Sequence, residues 1–141
     1  MYWVLLATLC LLLIFIVSGV QKALGYVGAS DFSPSSTAAF LSSLTGLPTL
    51  LTSVALFIAV AIELLAPPVI LAAVVIPESS SMASVFGMPL SSLAYLGVLG
   101  LILFTVLATL AYHFPTDPSE RISFMKNLSI LGGLILLAGQ F

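Results

Sequence analysis

The feature that most constrains this chain is an apolar stretch, residues 50–76, that is long enough to cross a membrane and carries one ionisable side chain, Glu63. A carboxylate at bilayer depth is costly unless it has a partner or faces a protein interior or a wet cavity. The side chains that share its helical face are mostly small: Ala55, Ala59, Ala66 and Pro67. Because small side chains let a second helix approach closely, we predict that this face packs against other helices of the same chain.

Composition places the rest of the chain in a membrane as well. Hydrophobic residues make up 61% of the 141 residues and charged residues only 6%, which is too little polar surface for a soluble globule. The net charge of -2 gives no basic surface for nucleic acid, so we expect no nucleic-acid partner. The single cysteine, Cys10, has no partner for a disulfide within the chain and is expected to pack as a small apolar residue.

The apolar pattern predicts an all-α fold, an integral membrane bundle of four transmembrane helices in one domain. The predicted spans are about residues 2–25, 49–76, 90–113 and 118–140. A cleaved signal peptide is the alternative for the first segment, but a basic region is missing before it and its apolar run exceeds the usual length.

A short helix at about residues 34–45 is predicted in the membrane interface between the first two spans. Ser33 and Pro34 are suited to its first turn, and Gly46 can close it. In the second span, Pro67 and Pro68 each remove a backbone donor, so we expect a kink or a change to a shorter element there.

Five polar residues are the candidates for binding a ligand: Glu63, Lys22, His113, Lys126 and Asn127. Lys22 is expected either to reach the membrane surface or to pair with Glu63. His113 ends a ladder with Thr105 and Thr109 and is interpreted as a hydrogen-bonding residue of the interface, with a ligand or base as the alternative. Lys126 either turns inward or extends to the surface.

Small residues mark the places where helices can approach closely. The candidates for helix packing are Gly19, Ala59, Gly97, Gly100, Gly132 and Gly133. Before the last span, Asp117 is suited to an N-cap and Pro118 to a first turn, and Glu120 has the spacing of a capping-box acid.

Four spans bring the helix ends that carry Lys22, His113, Lys126 and Asn127 to one side of the membrane, with Glu63 roughly 20 Å below the start of its helix at about 1.5 Å per residue. A direct pair with Glu63 then needs an inward-pointing lysine or an intervening water. The basic residues favour the cytoplasm, matrix or stroma for this side, with both termini across the membrane. A bacterial inner membrane and a eukaryotic organelle membrane are both compatible with the sequence.

Three segments of the chain resemble the DoxX family of small membrane proteins. The first is Ser18-Gly19-x-x-Lys22 at the end of span one. The second is Phe40-Leu41, then Gly46-Leu47-Pro48 ahead of a span with Glu63-Leu64, and the third is Lys126-Asn127-Leu128 followed by Leu131-Gly132-Gly133-Leu134. The resemblance implies a four-helix membrane subunit, in some members associated with quinone-linked sulfur oxidation or with redox partners.

The motifs of a redox centre are missing from the sequence. We predict no catalytic residue, no metal ligand and no intrinsic cofactor, because the cysteines of an iron-sulfur cluster, the ligand pattern of a haem and the glycine-rich turn of a nicotinamide site are all missing. The first hypothesis is therefore an accessory subunit of a larger oxidoreductase or electron-transport complex, in contact with lipids and other membrane subunits, that lines a quinone or lipid site. The alternatives are a transporter or binding protein in which Glu63 takes up a proton, and a membrane assembly or cargo factor. Glu63 and Lys22 could also serve only to fix helix register.

Overall fold

The chain folds into five helices that form an all-α bundle, as seen in a computed structural model that describes residues 2–141. They are α1 (Tyr2–Tyr26), α2 (Pro34–Thr45), α3 (Thr49–Val75), α4 (Leu90–Tyr112) and α5 (Arg121–Ala138), the last preceded by a 3-10 turn at Pro118–Glu120. Four of them, counting α5 with its preceding turn, are long and apolar enough to cross a membrane. The prediction of a multi-pass membrane bundle with a short helix between the first two spans is confirmed.

The short helix α2 has the ends that its sequence predicts. The Ser33 side chain accepts a hydrogen bond from the backbone N–H of Ser36, and Pro34 occupies the first turn. Gly46 takes a left-handed conformation with φ of 72° and donates its N–H to the carbonyl of Ser42. A glycine closes a helix in this way because it lacks a Cβ that would clash at positive φ.

Packing of α2 covers one end of the bundle. Ala38 is buried, and its carbonyl accepts a 2.9 Å hydrogen bond from the Thr52 hydroxyl of α3. The ring of Phe40 stacks on Tyr112 at the end of α4, with 5.1 Å between ring centroids. The helix therefore joins the start of α3 to the end of α4.

Helix α3 continues without interruption through Pro67 and Pro68 to Val75, so of the two alternatives expected there, a kink or a shorter element, the shorter element is wrong. In hydrocarbon, no water is present to bind the backbone N–H and C=O groups of α3. Their best hydrogen-bonding partners are therefore in the helical turns on either side of the prolines, which favours a continued helix. The buried face of α3 recurs at helical spacing: Thr52, Leu56, Val60, Glu63, Ala66, Pro67 and Ile70. The buried face coincides with the predicted small-residue stripe at Ala66 and Pro67, whereas Ala59 is half-buried and Ala55 is exposed.

The four long helices close into a ring in which each contacts two neighbours. The helix α5 returns to α1 where Gly133 lies against Leu11. The interior is filled mainly by aliphatic side chains, with one aromatic ring: Leu12, Phe15, Ala66, Ile70, Ala94, Val98, Leu101, Leu134 and Leu137. This buried apolar core holds the bundle together. It also limits where a polar group can lie inside the bundle.

The connection between α3 and α4 contains a small hairpin that sequence analysis did not predict. Residues Ser84–Val85 pair with Met88–Pro89, and the turn consists of Phe86 and Gly87 with φ of 53° and 78°. Positive φ at both positions is what a two-residue hairpin turn of type I′ requires. Phe86 is an unusual residue there because a bulky side chain disfavours positive φ, which hid the hairpin from sequence analysis.

The start of the last span follows the prediction only in part. The Asp117 side chain accepts a hydrogen bond from the backbone N–H of Ser119, as an N-cap does. Glu120 does not complete a capping box, because its carboxylate contacts His113 and the N–H of Asp117 is donated to the carbonyl of Phe114. The chain forms a 3-10 turn first and becomes α-helical at Arg121.

Candidate functional site

Glu63 lies inside the bundle, with 1% of its surface exposed. The Ser18 hydroxyl donates a 3.0 Å hydrogen bond to Oε1, and Lys22 Nζ donates to Oε1 at 2.9 Å and to Oε2 at 2.7 Å. Lys22 thus pairs directly with Glu63, which was one of the two alternatives for this lysine. The acid is therefore held in protein and away from hydrocarbon, as its cost at bilayer depth requires.

The close approach of α1 and α3 makes this contact possible. Ser18 and Lys22 are four residues apart and share a face of α1, with Gly19 beside them. A Cβ built on Gly19 would lie 3.0 Å from the Cβ of Glu63 and 3.1 Å from Leu64, closer than side chains normally pack. The glycine thereby lets the backbone of α1 come close enough for both donors to reach the carboxylate.

An aromatic ring completes the surroundings of Lys22. Its ammonium lies 4.6 Å from the ring centroid of Phe104 on α4, within the range of a cation–π contact. Phe104 in turn meets Phe15 edge to face, with 6.4 Å between centroids. Sequence analysis missed Phe104, although it lies seven residues after Gly97 and four after Gly100 and so shares their face of α4.

The five predicted ligand-binding residues do not form one site. Glu63 binds Lys22, while His113 Nδ1 contacts the carboxylate of Glu120 at the other end of the same connection. The Asn127 side chain donates a 3.0 Å hydrogen bond to the Thr109 hydroxyl and so ties α5 to α4. Lys126 is exposed on the outer side of α5.

The threonine ladder on α4 is occupied by its own helix. Thr105 donates to the carbonyl of Leu101, and Thr109 donates to the carbonyl of Thr105. Both side chains are buried, so these bonds satisfy hydroxyls that lack access to water. His113 lies beyond Thr109 but points its ring to Glu120, so it does not continue the ladder.

Most of the predicted packing glycines meet a neighbouring helix. A Cβ on Gly97 would lie 3.2 Å from Ala66, one on Gly100 would lie 3.1 Å from Ile62, and one on Gly133 would lie 3.1 Å from Leu11. The prediction for Gly132 is wrong: a Cβ there would meet no atom within 4 Å. Gly132 is adjacent to Gly133 on a helix and therefore points about 100° away from it.

Two surface cavities lie away from Glu63. A groove of about 330 Å³ on the outer face of α5 is lined by Arg121, Ile122, Met125, Lys126 and Ser129. A cleft of about 540 Å³ lies at the end of the bundle that carries the chain termini, and includes Glu78, Gln140 and Phe141. Within residues 2–141 there is no group of three or more His, Cys, Asp or Glu residues able to hold a metal ion.

The geometry allows two kinds of chemistry at Glu63. The ion pair can hold α1 and α3 in register, and it can present a donor to a bound molecule, since a lysine ammonium has three N–H donors and two are used on the carboxylate. Comparison with family models, with curated proteins and with solved structures gives no match.

Proposed function

We propose that this protein is a DoxX-like accessory subunit of a larger membrane oxidoreductase or electron-transport complex. In this role it contributes a four-helix scaffold to the complex and lines a quinone or lipid site beside Lys22. It carries no redox centre of its own in this proposal and supplies contacts to subunits that do.

The observation that carries the proposal is the contact between two of the segments that resemble the DoxX family. Ser18 and Lys22 come from the first of these segments and Glu63 from the second, and they meet in one hydrogen-bonded group. Residues that are 41 and 45 positions apart in the chain thus form a single polar centre inside an apolar bundle. Such a centre is expensive at bilayer depth, which favours a functional use for it.

A quinone site is supported by the donor that Lys22 retains. Its side chain is 22% exposed, whereas that of Glu63 is 1% exposed, so the lysine is the member of the pair that a bound molecule can reach. A carbonyl oxygen accepts a hydrogen bond from an ammonium, and the apolar ring of Phe104 beside it suits a flat apolar ligand.

Contact with other membrane subunits is supported by the sides of the long helices. Large apolar residues on all four of them are well exposed, for example Leu13 (54%), Phe57 (62%), Leu103 (59%) and Leu136 (76%). In a membrane these faces lie against lipid or against the apolar helices of a neighbour. The connections between the helices are short, so the helix sides offer most of the surface for a partner.

The first experiment is a co-purification from the native membrane. The full chain, tagged and produced at its natural level, is extracted in a mild detergent and its mass is measured by native mass spectrometry. We expect the chain to run in an assembly with subunits that carry a redox centre. If it runs alone, the accessory role fails and the transporter and assembly-factor alternatives take its place.

The second experiment separates a functional acid from a purely structural one. Glu63→Gln keeps the size of the side chain and an oxygen acceptor for Ser18 and Lys22, so we expect the assembly to remain intact. The quinone-linked activity of that assembly should fall at least tenfold, since a charge that orients Lys22 is lost. Full activity in an intact assembly would leave the pair with a structural role only.

A further inference from the structure

The basic residues of this chain differ in whether they form an ion pair with a carboxylate. The chain has three Lys or Arg residues, and Lys22 is bound to Glu63. The other two, Arg121 and Lys126, line the same groove on the outer face of α5. Within residues 2–141 the ion pairs are Lys22 with Glu63 and His113 with Glu120, so neither cation of the groove has a carboxylate partner.

The acids nearest to this groove along the chain are engaged elsewhere. The carboxylate of Glu120 contacts His113, and that of Asp117 accepts hydrogen bonds from Ser119. The groove therefore holds two cations at the start of a membrane helix, and neither forms an ion pair with the nearby carboxylates of Asp117 and Glu120.

The two cations can reach the same depth in the membrane. Arg121 is the first residue of α5, and Lys126 lies about 7.5 Å deeper at about 1.5 Å of rise per residue. A lysine side chain is long enough to lie along the helix and raise its ammonium to the level of the lipid headgroups. Below that level the groove is lined by Ile122 and Met125, which suit an acyl chain.

We propose that this groove binds one anionic phospholipid. The phosphate lies between the Arg121 guanidinium and the Lys126 ammonium, and the upper part of an acyl chain runs along Ile122 and Met125. A guanidinium fits a phosphate with two parallel hydrogen bonds, and a lysine adds a point charge. A zwitterionic lipid is disfavoured because its own cation would lie near the two cations of the groove. This proposal is independent of the accessory-subunit role.

The test counts lipids bound to the full chain by native mass spectrometry in detergent. Phosphatidylglycerol and phosphatidylcholine with identical acyl chains are titrated separately, and inorganic phosphate is titrated as a third probe. The variants are Arg121→Gln, Lys126→Gln, the double variant, and Lys126→Arg, which keeps the charge. Glu78→Gln, at the opposite end of the bundle, is the control for a change of one unit in net charge away from the groove, with the opposite sign.

We expect one tightly bound phosphatidylglycerol and a weaker association of phosphatidylcholine. Each single Gln variant should weaken phosphatidylglycerol binding about fivefold and the double variant about 25-fold, whereas Lys126→Arg and Glu78→Gln should stay near the wild type. Both cations are exposed, so the variants should keep the melting temperature of the wild type.

Three results would overturn the proposal. The first is equal binding of the two lipids, and the second is unchanged phosphatidylglycerol binding in the double variant. The third is saturation by inorganic phosphate at the same concentration as the lipid, which would assign the groove to a free anion.

Discussion

Glu63 shows how a single carboxylate is accommodated in an apolar bundle. Its oxygens accept three hydrogen bonds, all from Ser18 and Lys22 on one neighbouring helix. Removing one member of a buried ion pair typically costs about 3–5 kcal/mol, because the other charge is left unpaired, whereas replacing both by apolar residues is often close to neutral. The contribution of each residue therefore depends on whether its partner is present.

Asp117 is the residue whose ionisation is most clearly tied to its local structure. Hydrogen bonds from the hydroxyl and the backbone N–H of Ser119 hold the pKa of Asp117 below its ordinary value of 3.8. A carboxylate whose pKa is lower in the folded state stabilises the fold above its ordinary pKa, and this stabilisation is lost as the pH falls through the folded value. The wild type should therefore lose stability below about pH 4 in a way that Asp117→Asn does not.

The measurement is the melting temperature of both proteins in detergent at pH 6 and pH 3. We expect the advantage of the wild type at pH 6 to shrink at pH 3, and Ser119→Ala to show a smaller pH dependence than the wild type. A difference between wild type and Asp117→Asn that is the same at both pH values would contradict this account.

At the scale of elements, glycine contacts set the distances between the long helices. Gly19 brings α1 against α3, Gly97 and Gly100 bring α4 against α3, and Gly133 brings α5 against α1. In a membrane, helices associate through close packing because lipid is as apolar as their own side chains. A single methyl group added at such a contact therefore disturbs the packing of both helices.

Gly19 and Gly132 form a matched pair of positions for testing this. Gly19→Ala places a Cβ 3.0 Å from that of Glu63, and overpacking of this kind costs about 1–3 kcal/mol. Gly132→Ala meets open space, and alanine favours a helix over glycine by up to about 1 kcal/mol, so this variant should be as stable as the wild type or more stable. Unfolding by sodium dodecyl sulfate gives both values. Equal destabilisation by the two variants would show that contact at Gly19 does not hold α1 against α3.

For the whole molecule, the sequence was sufficient to predict the number of long helices and their ends, since each end lies within two residues of the predicted span when α5 is counted with its preceding 3-10 turn. The length of an apolar segment, the capping residues and the prolines can be recognised from a short stretch of sequence. They also act within that stretch, where they determine where a helix begins and ends. The hairpin at Phe86 was missed because its turn contains a residue that disfavours positive φ.

The residues at the centre of the candidate site could be predicted from the sequence, whereas the contacts of the residues around it were harder to predict. The cost of an isolated acid in hydrocarbon identified Glu63, and Lys22 was expected either to pair with it or to reach the membrane surface. The partners of His113 and Asn127 depend on how α4 and α5 rotate against each other, which helical periodicity alone does not fix. For the same reason Gly132 and Gly133 were both assigned to packing although adjacent residues face different directions.

The central claim is that Glu63 and Lys22 support each other inside the bundle, and a double-mutant cycle on the free energy of unfolding tests it most directly. We predict that Lys22→Met costs about 3–5 kcal/mol, because it leaves Glu63 buried without its cation. The double variant Lys22→Met/Glu63→Leu should then be more stable than Lys22→Met alone. If the effects of Lys22→Met and Glu63→Leu, each measured alone, simply add in the double variant, Glu63 and Lys22 do not interact and the account is wrong.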